Sequence, residues 1–300
     1  MTRVAFLGLG HMGLPMAFNL AKAGHEVIGF DVVPAAIDAA RAGGLVVADA
    51  GTDAAASADV VITMFPSGRH VIDAYRDGLL AATAPGTLFI DCSTIAVDEA
   101  REAHALAEAA GHRSLDAPVS GGVVGAENAT LAFMVGGSDE DFEAARPLLE
   151  AMGRRVVHCG GAGLGQAAKV CNNMILAVSQ IAVAEAFVLG ERLGLSHQAL
   201  FDVASNASGQ CWALTTNCPV PGPVPTSPAN RDYQPGFAGA LMSKDLGLAE
   251  QAIDLTGVDA RMGLLAREIY KEFADGAGAG QDFSGIITTI RAESRGAASA

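Results

Sequence analysis

Three small clusters hold the residue types that could do chemistry. The first is Gly8-Leu-Gly10-His-Met12-Gly13, a GxGxxG turn between an apolar run and a helical one, with Asp31 closing the next apolar run. Each glycine meets a separate need. Gly8 makes a tight turn, Gly10 lets a pyrophosphate touch the backbone, and Gly13 lets a helix pack closely on a strand. The second cluster is Asp116-Ala-Pro-Val-Ser120-Gly121-Gly122. Its small residues with successive N–H groups either form a concave donor site for a carboxylate or make a plain turn. The third is Lys169 with Asn173, four apart and therefore stacked one turn apart on a helix face. A lysine buried in an apolar segment is pushed towards its neutral form and can exchange protons at neutral pH; the other reading is a solvated lysine at a helix start. Asn173 either holds a substrate hydroxyl, fixes the lysine, or is satisfied by backbone.

The elements around the first cluster give it meaning. Residues 2–8 read as a buried strand, 14–23 as a helix ended by Gly24, and 26–30 as a second strand with Asp31 at its carboxyl end. The helix amino terminus offers unpaired N–H groups and a positive dipole end to phosphates. A carboxylate after the second strand accepts hydrogen bonds from ribose hydroxyls and repels a 2′-phosphate, which favours NAD over NADP. Glycine is common here, 36 of 300 residues, so the order of strand, turn, helix, strand and acid carries the assignment. Gly163-Leu-Gly165-Gln-Ala-Ala168 fits the looser GxGxxA form, yet no second strand follows its helix. It reads as a hinge into a helix.

Further along, β-branched runs at 46–48, 60–64, 87–91, 113–117, 131–135 and 155–158 alternate with helical stretches such as 98–110 and 138–152. That alternation predicts an α/β fold with a Rossmann-type, doubly wound, mainly parallel sheet. Ligands in such sheets bind beyond the carboxyl ends of the strands, which singles out Gly8, Gly10, Gly13, Asp31, Phe65, Pro66 and Thr94. After Gly163 no convincing strand remains. Helices are expected at 166–193, 196–204, 241–256, 260–274 and 284–293, around a structureless loop at 205–236 that holds six of the twelve prolines and the only tryptophan, Trp212. The division is therefore a dinucleotide-binding domain at 1–162 and an all-helical C-terminal domain at 163–300. Residues 295–300 are small and polar enough to fray. Apolar helical faces of this kind predict a homo-oligomer.

Composition narrows the function classes. Half of the residues are hydrophobic and 17% are charged, enough apolar material for a sizeable core. The net charge is −14, with no basic cluster longer than Arg154-Arg155, which argues against nucleic acid. Five scattered cysteines fit free thiols in a reducing cytoplasm. The histidines lack metal-site spacing, no metal is expected, and no GxSxG or Cys–His signature suggests covalent catalysis. The apolar segment 170–190 is interrupted by Asn172, Asn173, Ser179, Gln180 and Glu185, so a buried helix is expected there and not a membrane span. A strand directly at the start leaves no room for a signal peptide.

The glycine turn through Leu20, Asp91-Cys-Ser-Thr94, residues 116–122, and residues 163–169 with Asn172-Asn173 together resemble the β-hydroxyacid dehydrogenase family over nearly the whole chain. Ser208-Gly-Gln-Cys-Trp212, Cys218-Pro-Val-Pro-Gly222, Pro228-Ala-Asn230 and residues 241–248 resemble its 3-hydroxyisobutyrate branch, which acts in valine breakdown. The resemblance implies Lys169 as catalytic acid/base and Asn173, Ser120, Gly121, Gly122 and Trp212 on a small 3-hydroxy acid. It places Gly8, Gly10, Met12, Gly13, Asp31, Phe65, Pro66, Thr94 and Lys244 on NAD, in a homodimer or homotetramer. From residues alone, Lys244 is equally a surface lysine before a helix-like run. Three positions depart from the family pattern: Phe65 stands for leucine, His70 for asparagine, and Cys218 for a tyrosine- or asparagine-type residue. The rival readings are a sister reductase of tartronate, glyoxylate or succinic semialdehyde, an imine reductase, and a non-catalytic nucleotide-binding relative.

Overall fold

Val4, Ala5, Phe6 and Leu7 offer water no polar side chain, and the run forms strand β1 (Arg3–Leu7), buried on both faces inside a parallel sheet. The computed structural model describes residues 1–294; the 295–300 tail expected to fray lies outside them. Strand β1 pairs in parallel with β2 (Glu26–Phe30) on one side and β4 (Val60–Thr63) on the other. Outside β2 lies β3 (Val46–Val47); beyond β4 come β5 (Leu88–Asp91) and β6 (Arg113–Asp116), all parallel. The far edge is formed by β7 (Val119–Ser120), β8 (Leu131–Gly136) and β9 (Gly153–Gly160), with β8 antiparallel to β6 and β7 and parallel to β9. The sheet order is β3-β2-β1-β4-β5-β6-β8-β7, with β9 on β8.

Period-two alternation assigns the two faces. Val4 and Phe6 of β1 pack into one core with Leu20, Phe133 and Met152, while Ala5 and Leu7 pack into another with Tyr75, Phe89 and Ala103. Helices α1 (Gly13–Lys22), α2 (Pro34–Ala42), α3 (Gly51–Ala55), α4 (Gly68–Ala74), α5 (Val97–Ala109), α6 (Gly122–Glu127) and α7 (Asp139–Met152) lie between the strands. The one strand missing from the sequence reading is β7. Its two residues follow Pro118 and precede two glycines, so no β-branched run marks it.

The chain divides into two compact units, Met1–Lys169 and the part from Val170 onward. The division falls inside α8 (Leu164–Arg192), whose opening turns belong to the first unit. This helix is long and apolar enough to cross a membrane by length and composition, and half of its most apolar window is buried within the protein.

The second unit consists of the rest of α8 with α9 (His197–Ala204), α10 (Trp212–Thr215), α11 (Gly239–Thr256), α12 (Arg261–Asp275) and α13 (Ile286–Glu293). Its core gathers Phe187, Leu214, Val220, Met242, Tyr270 and Phe283. The stretch 205–236 is not the structureless loop expected from its prolines. It contains α10 and a 3-10 turn at Pro228–Arg231, and it buries Cys218, Val220 and Ser227. Prolines removed its helical signature, but buried polar anchors replace ladder hydrogen bonds. Asp282 accepts from Asn217 Nδ2 (3.2 Å), Gly236 N (3.0 Å) and Phe237 N (3.1 Å).

Close packing at the first strand–helix turn is the tightest constraint in the first unit. A Cβ on Gly13 would lie 1.9 Å from the Gly8 carbonyl oxygen and 3.0 Å from the Phe6 ring. Gly13→Ala must therefore push α1 off β1 and is expected to cost about 1–3 kcal/mol. Chemical denaturation checks this, and a midpoint equal to the wild type would show that the contact gives way freely.

Candidate active site

Neighbouring strands β2, β1, β4, β5 and β6 are parallel, and Asp31, the glycine turn, Phe65, Pro66 and Thr94 follow their carboxyl ends. After β1, Gly8 adopts φ +96°, and a Cβ there would sit 2.3 Å from the Met64 carbonyl oxygen. Gly10 differs: a Cβ on it would meet nothing within 4 Å, and the residue is exposed. Gly8 and Gly13 are thus filled by protein while Gly10 leaves backbone open, the division of labour a pyrophosphate needs. Met12 caps the amino end of α1, whose first turn has no acidic side chain to oppose an anion.

Asp31, after β2, accepts hydrogen bonds from Leu9 N (2.6 Å, Oδ2) and Val33 N (2.8 Å, Oδ1). These bonds lash the carboxylate to the glycine turn and leave each oxygen further acceptor capacity for ribose hydroxyls. Phe65 and Pro66 follow β4, and Phe65 N donates to Ser93 Oγ (2.7 Å) beside the half-buried Thr94. The residues present fit a dinucleotide with free ribose hydroxyls.

Lys169 is 6% exposed, and its Nζ donates to the Val119 carbonyl oxygen at 2.8 Å. The solvated-lysine reading is overturned. Val119 directly precedes Ser120 in β7, and Gly121 and Gly122 follow with φ of +134° and +63°. Both φ values lie in the left-handed region that glycine favours, so the chain turns sharply after β7. The buried amine therefore lies against the strand from which residues 120–122 leave.

In the second unit, Asn173 is 2% exposed; its Nδ2 donates to Asp245 Oδ2 (2.6 Å), and its Oδ1 accepts from Asn172 Nδ2 (3.0 Å). A side-chain carboxylate, not backbone, holds it. Lys244 lies inside α11 and not ahead of it, with Nζ 3.7 Å from Asp245 Oδ1. Trp212 opens α10 and is 52% exposed. Asp245 had no role in the sequence reading; its place beside Lys244 was the available signal. His70, without an expected role, meets Ser67 Oγ at 2.8 Å. All five cysteines are unpaired, and among the described residues no group of three His, Cys, Asp or Glu side chains could hold a metal.

Comparison with known proteins gives two consecutive matches that meet just ahead of α8. Residues 3–161 match the family model described as the NAD binding domain of 6-phosphogluconate dehydrogenase, and residues 163–290 match NAD-binding of NADP-dependent 3-hydroxyisobutyrate dehydrogenase. A probable 3-hydroxyisobutyrate dehydrogenase of Mycobacterium tuberculosis is 61% identical over 97% of this chain and 99% of its own length. The chain belongs to the 3-hydroxyisobutyrate dehydrogenase family. An NAD-dependent L-serine dehydrogenase of Pseudomonas aeruginosa is 50% identical over 95% of this chain and 96% of its own. The solved structure of Mycobacterium tuberculosis 3-hydroxyisobutyrate dehydrogenase with L-serine superposes with a TM-score of 0.94 at 60% identity, covering 97% of this chain and 99% of that one. Membership makes this chain an oxidoreductase with an NAD-binding domain.

One carboxylate under this family site is held against its preference. Asp91, at the end of β5, is 3% exposed; Oδ1 accepts from Thr63 Oγ1 (2.8 Å) and Ser93 Oγ (2.6 Å), and Oδ2 has no partner. Burial pushes its pKa from 3.8 up to about 6, against the hydrogen bonds from Ser93 and Thr63. The folded state thus holds the proton more tightly than the unfolded one. The resulting stabilisation is complete below the unfolded pKa and is lost as pH rises through about 6. Relative to Asp91→Asn, wild-type stability should fall by roughly 3 kcal/mol from acid to neutral pH. Urea unfolding of both proteins across that range checks it, and parallel profiles would contradict it.

Proposed function

We propose that this chain reversibly oxidises 3-hydroxyisobutyrate to methylmalonate semialdehyde with NAD, a step of valine breakdown. The observation that carries the reading is the buried amine of Lys169, hydrogen-bonded at 2.8 Å to Val119 beside Ser120, Gly121 and Gly122. A carboxylate on those donors leaves the hydroxyl of a short 3-hydroxy acid for an adjacent proton acceptor. The family assignment and the 61% identical relative support the same substrate.

Bound NAD supplies the hydride acceptor for the oxidation. The glycine turn holds the pyrophosphate and Asp31 the ribose, which favours NAD although one matching family model is described as NADP-dependent. Phe65, Pro66, Thr94 and Lys244 complete the cofactor contacts. Ser120, Gly121 and Gly122 hold the substrate carboxylate. Lys169, neutral when it acts as base, takes the hydroxyl proton, and its ammonium returns that proton in the reverse direction. Asn173 serves the substrate hydroxyl and Trp212 the methyl group. Unpaired cysteines, the exposed Ile175 and Leu189 along α8, and the exposed Leu193 just after it support a cytoplasmic homo-oligomer, a dimer or tetramer.

L-serine is the second reading. It shares the hydroxymethyl and carboxylate groups and differs where an ammonium replaces the methyl. The 50% identical serine dehydrogenase favours testing it, ahead of the sister semialdehyde reductases.

Two measurements test the proposal. NADH formation with 3-hydroxyisobutyrate, L-serine, glycerate and 4-hydroxybutyrate, each with NAD and NADP, should give the highest kcat/KM for 3-hydroxyisobutyrate with NAD. A better rate with serine or with NADP would replace that part of the reading. Lys169→Ala should lower kcat on the order of 10²–10⁴ while NAD still binds; retention of most activity would remove the lysine from its role.

A further inference from the structure

Gln166 is fully buried in the first turn of α8, yet nothing in the proposed reaction uses it. Its amide is spent entirely on one loop. Nε2 donates to the Ser93 carbonyl oxygen at 2.7 Å, and Oε1 accepts from Ile95 N at 3.3 Å. Between those two residues lies Thr94, assigned to the cofactor. The same Ser93 receives Phe65 N on its hydroxyl, so the two cofactor loops after β4 and β5 are joined there. Gln166 also donates its own N–H to Asp116 Oδ2 at 2.9 Å, while Gly163 N donates to Asp116 Oδ1 at 2.8 Å. Three residues further along, on the same side of the helix, stands Lys169.

Close backbone approach makes this anchorage rigid. A Cβ on Gly165 would lie 2.4 Å from the Met134 carbonyl oxygen and 2.7 Å from that of Asp116. The start of α8 thus has no slack against the sheet, and Gln166 is its polar link to the loop. We propose that Gln166 is a positioning residue, whose two amide hydrogen bonds register the cofactor loop at residues 93–95 against the helix that carries Lys169. The inference rests on the assignment of Lys169 as acid/base. Losing the link leaves two buried backbone groups unpaired and lets the loop and the lysine move apart, and small misplacements of this kind cost up to about 10²-fold in rate.

Two variants test it, each assayed as the full chain. Gln166→Leu removes both hydrogen bonds and should lower kcat roughly 10- to 100-fold, with the KM for 3-hydroxyisobutyrate changed far less. Gln166→Glu keeps the shape. As a carboxylate it cannot donate to Ser93, but when protonated it restores both bonds. Its kcat relative to wild type should therefore recover as pH falls, whereas the Gln166→Leu ratio stays flat. The ionisable groups nearest the link are Asp116 with its partner His104 and, two residues before Ser93, Asp91. These groups and Lys169, three residues along, are common to every variant, and the uncharged Gln166→Leu variant is the reference for their own titration. Should Gln166→Leu fail to fold, the Gln166→Glu ratio decides alone. A pH-independent Gln166→Glu ratio, or a Gln166→Leu kcat within about twofold of wild type, overturns the proposal. An active Lys169→Ala would instead overturn the acid/base assignment, so the two failures are distinguishable.

Discussion

The buried amine of Lys169 is the constraint around which the first unit is arranged. An ammonium or amine removed from water without a partner costs several kcal/mol, and a flexible four-carbon stem resists being held in one place. Both difficulties are met by a single short stretch of chain. Val119 gives the carbonyl that receives the amine, and Asp116, three residues earlier, accepts the free N–H groups of Gly163 and Gln166 at the start of the helix. The helix end and the side chain it carries are thus fixed by the same strand-to-strand connection. His104 Nε2, 3.0 Å from Asp116 Oδ1, adds a further contact to the carboxylate.

Strand order turns this local clamp into a site. With β1, β4, β5 and β6 as consecutive neighbours, the glycine turn, Phe65, Thr94 and residues 116–122 emerge side by side on one edge. Hydrogen bonds that cross between adjacent strand ends, such as Phe65 N to Ser93 Oγ and Cys92 N to the Thr63 carbonyl, keep the loops in register. Part of that rigidity costs stability, since Asp91 is buried with one oxygen unpartnered in order to hold Thr63 and Ser93.

What the sequence disclosed followed from periodicity and local chemistry. The strands of the first unit announce themselves as β-branched runs, and the glycine turn is legible because strand, helix and Asp31 flank it. Strand β7 was hidden because two residues between a proline and two glycines show no period. The stretch 205–236 looked featureless because its order comes from Asp282, far along the chain. Lys169 could be read only as one of two kinds of lysine, since burial is decided by packing. Gln166 was silent for the same reason: its partners lie 50 and 73 residues away.

Asn173 shows how amide orientation is set where residue type alone leaves it open. An asparagine can present either its oxygen or its N–H₂ group to a given neighbour. Asp245 Oδ2 accepts from the N–H₂ side at 2.6 Å, and Asn172 Nδ2 donates to the opposite oxygen at 3.0 Å. The flip is therefore decided twice, by an acceptor on one side and a donor on the other. What remains is one N–H and one lone pair, each in a fixed direction, from a residue one turn along from the lysine. Asp245 Oδ1 also lies 3.7 Å from Lys244 Nζ, so a single buried carboxylate orients the amide and meets a cation. Replacing Asp245 by a neutral residue would thus disturb two contacts at once, the hydrogen bond to Asn173 and the ion pair with Lys244.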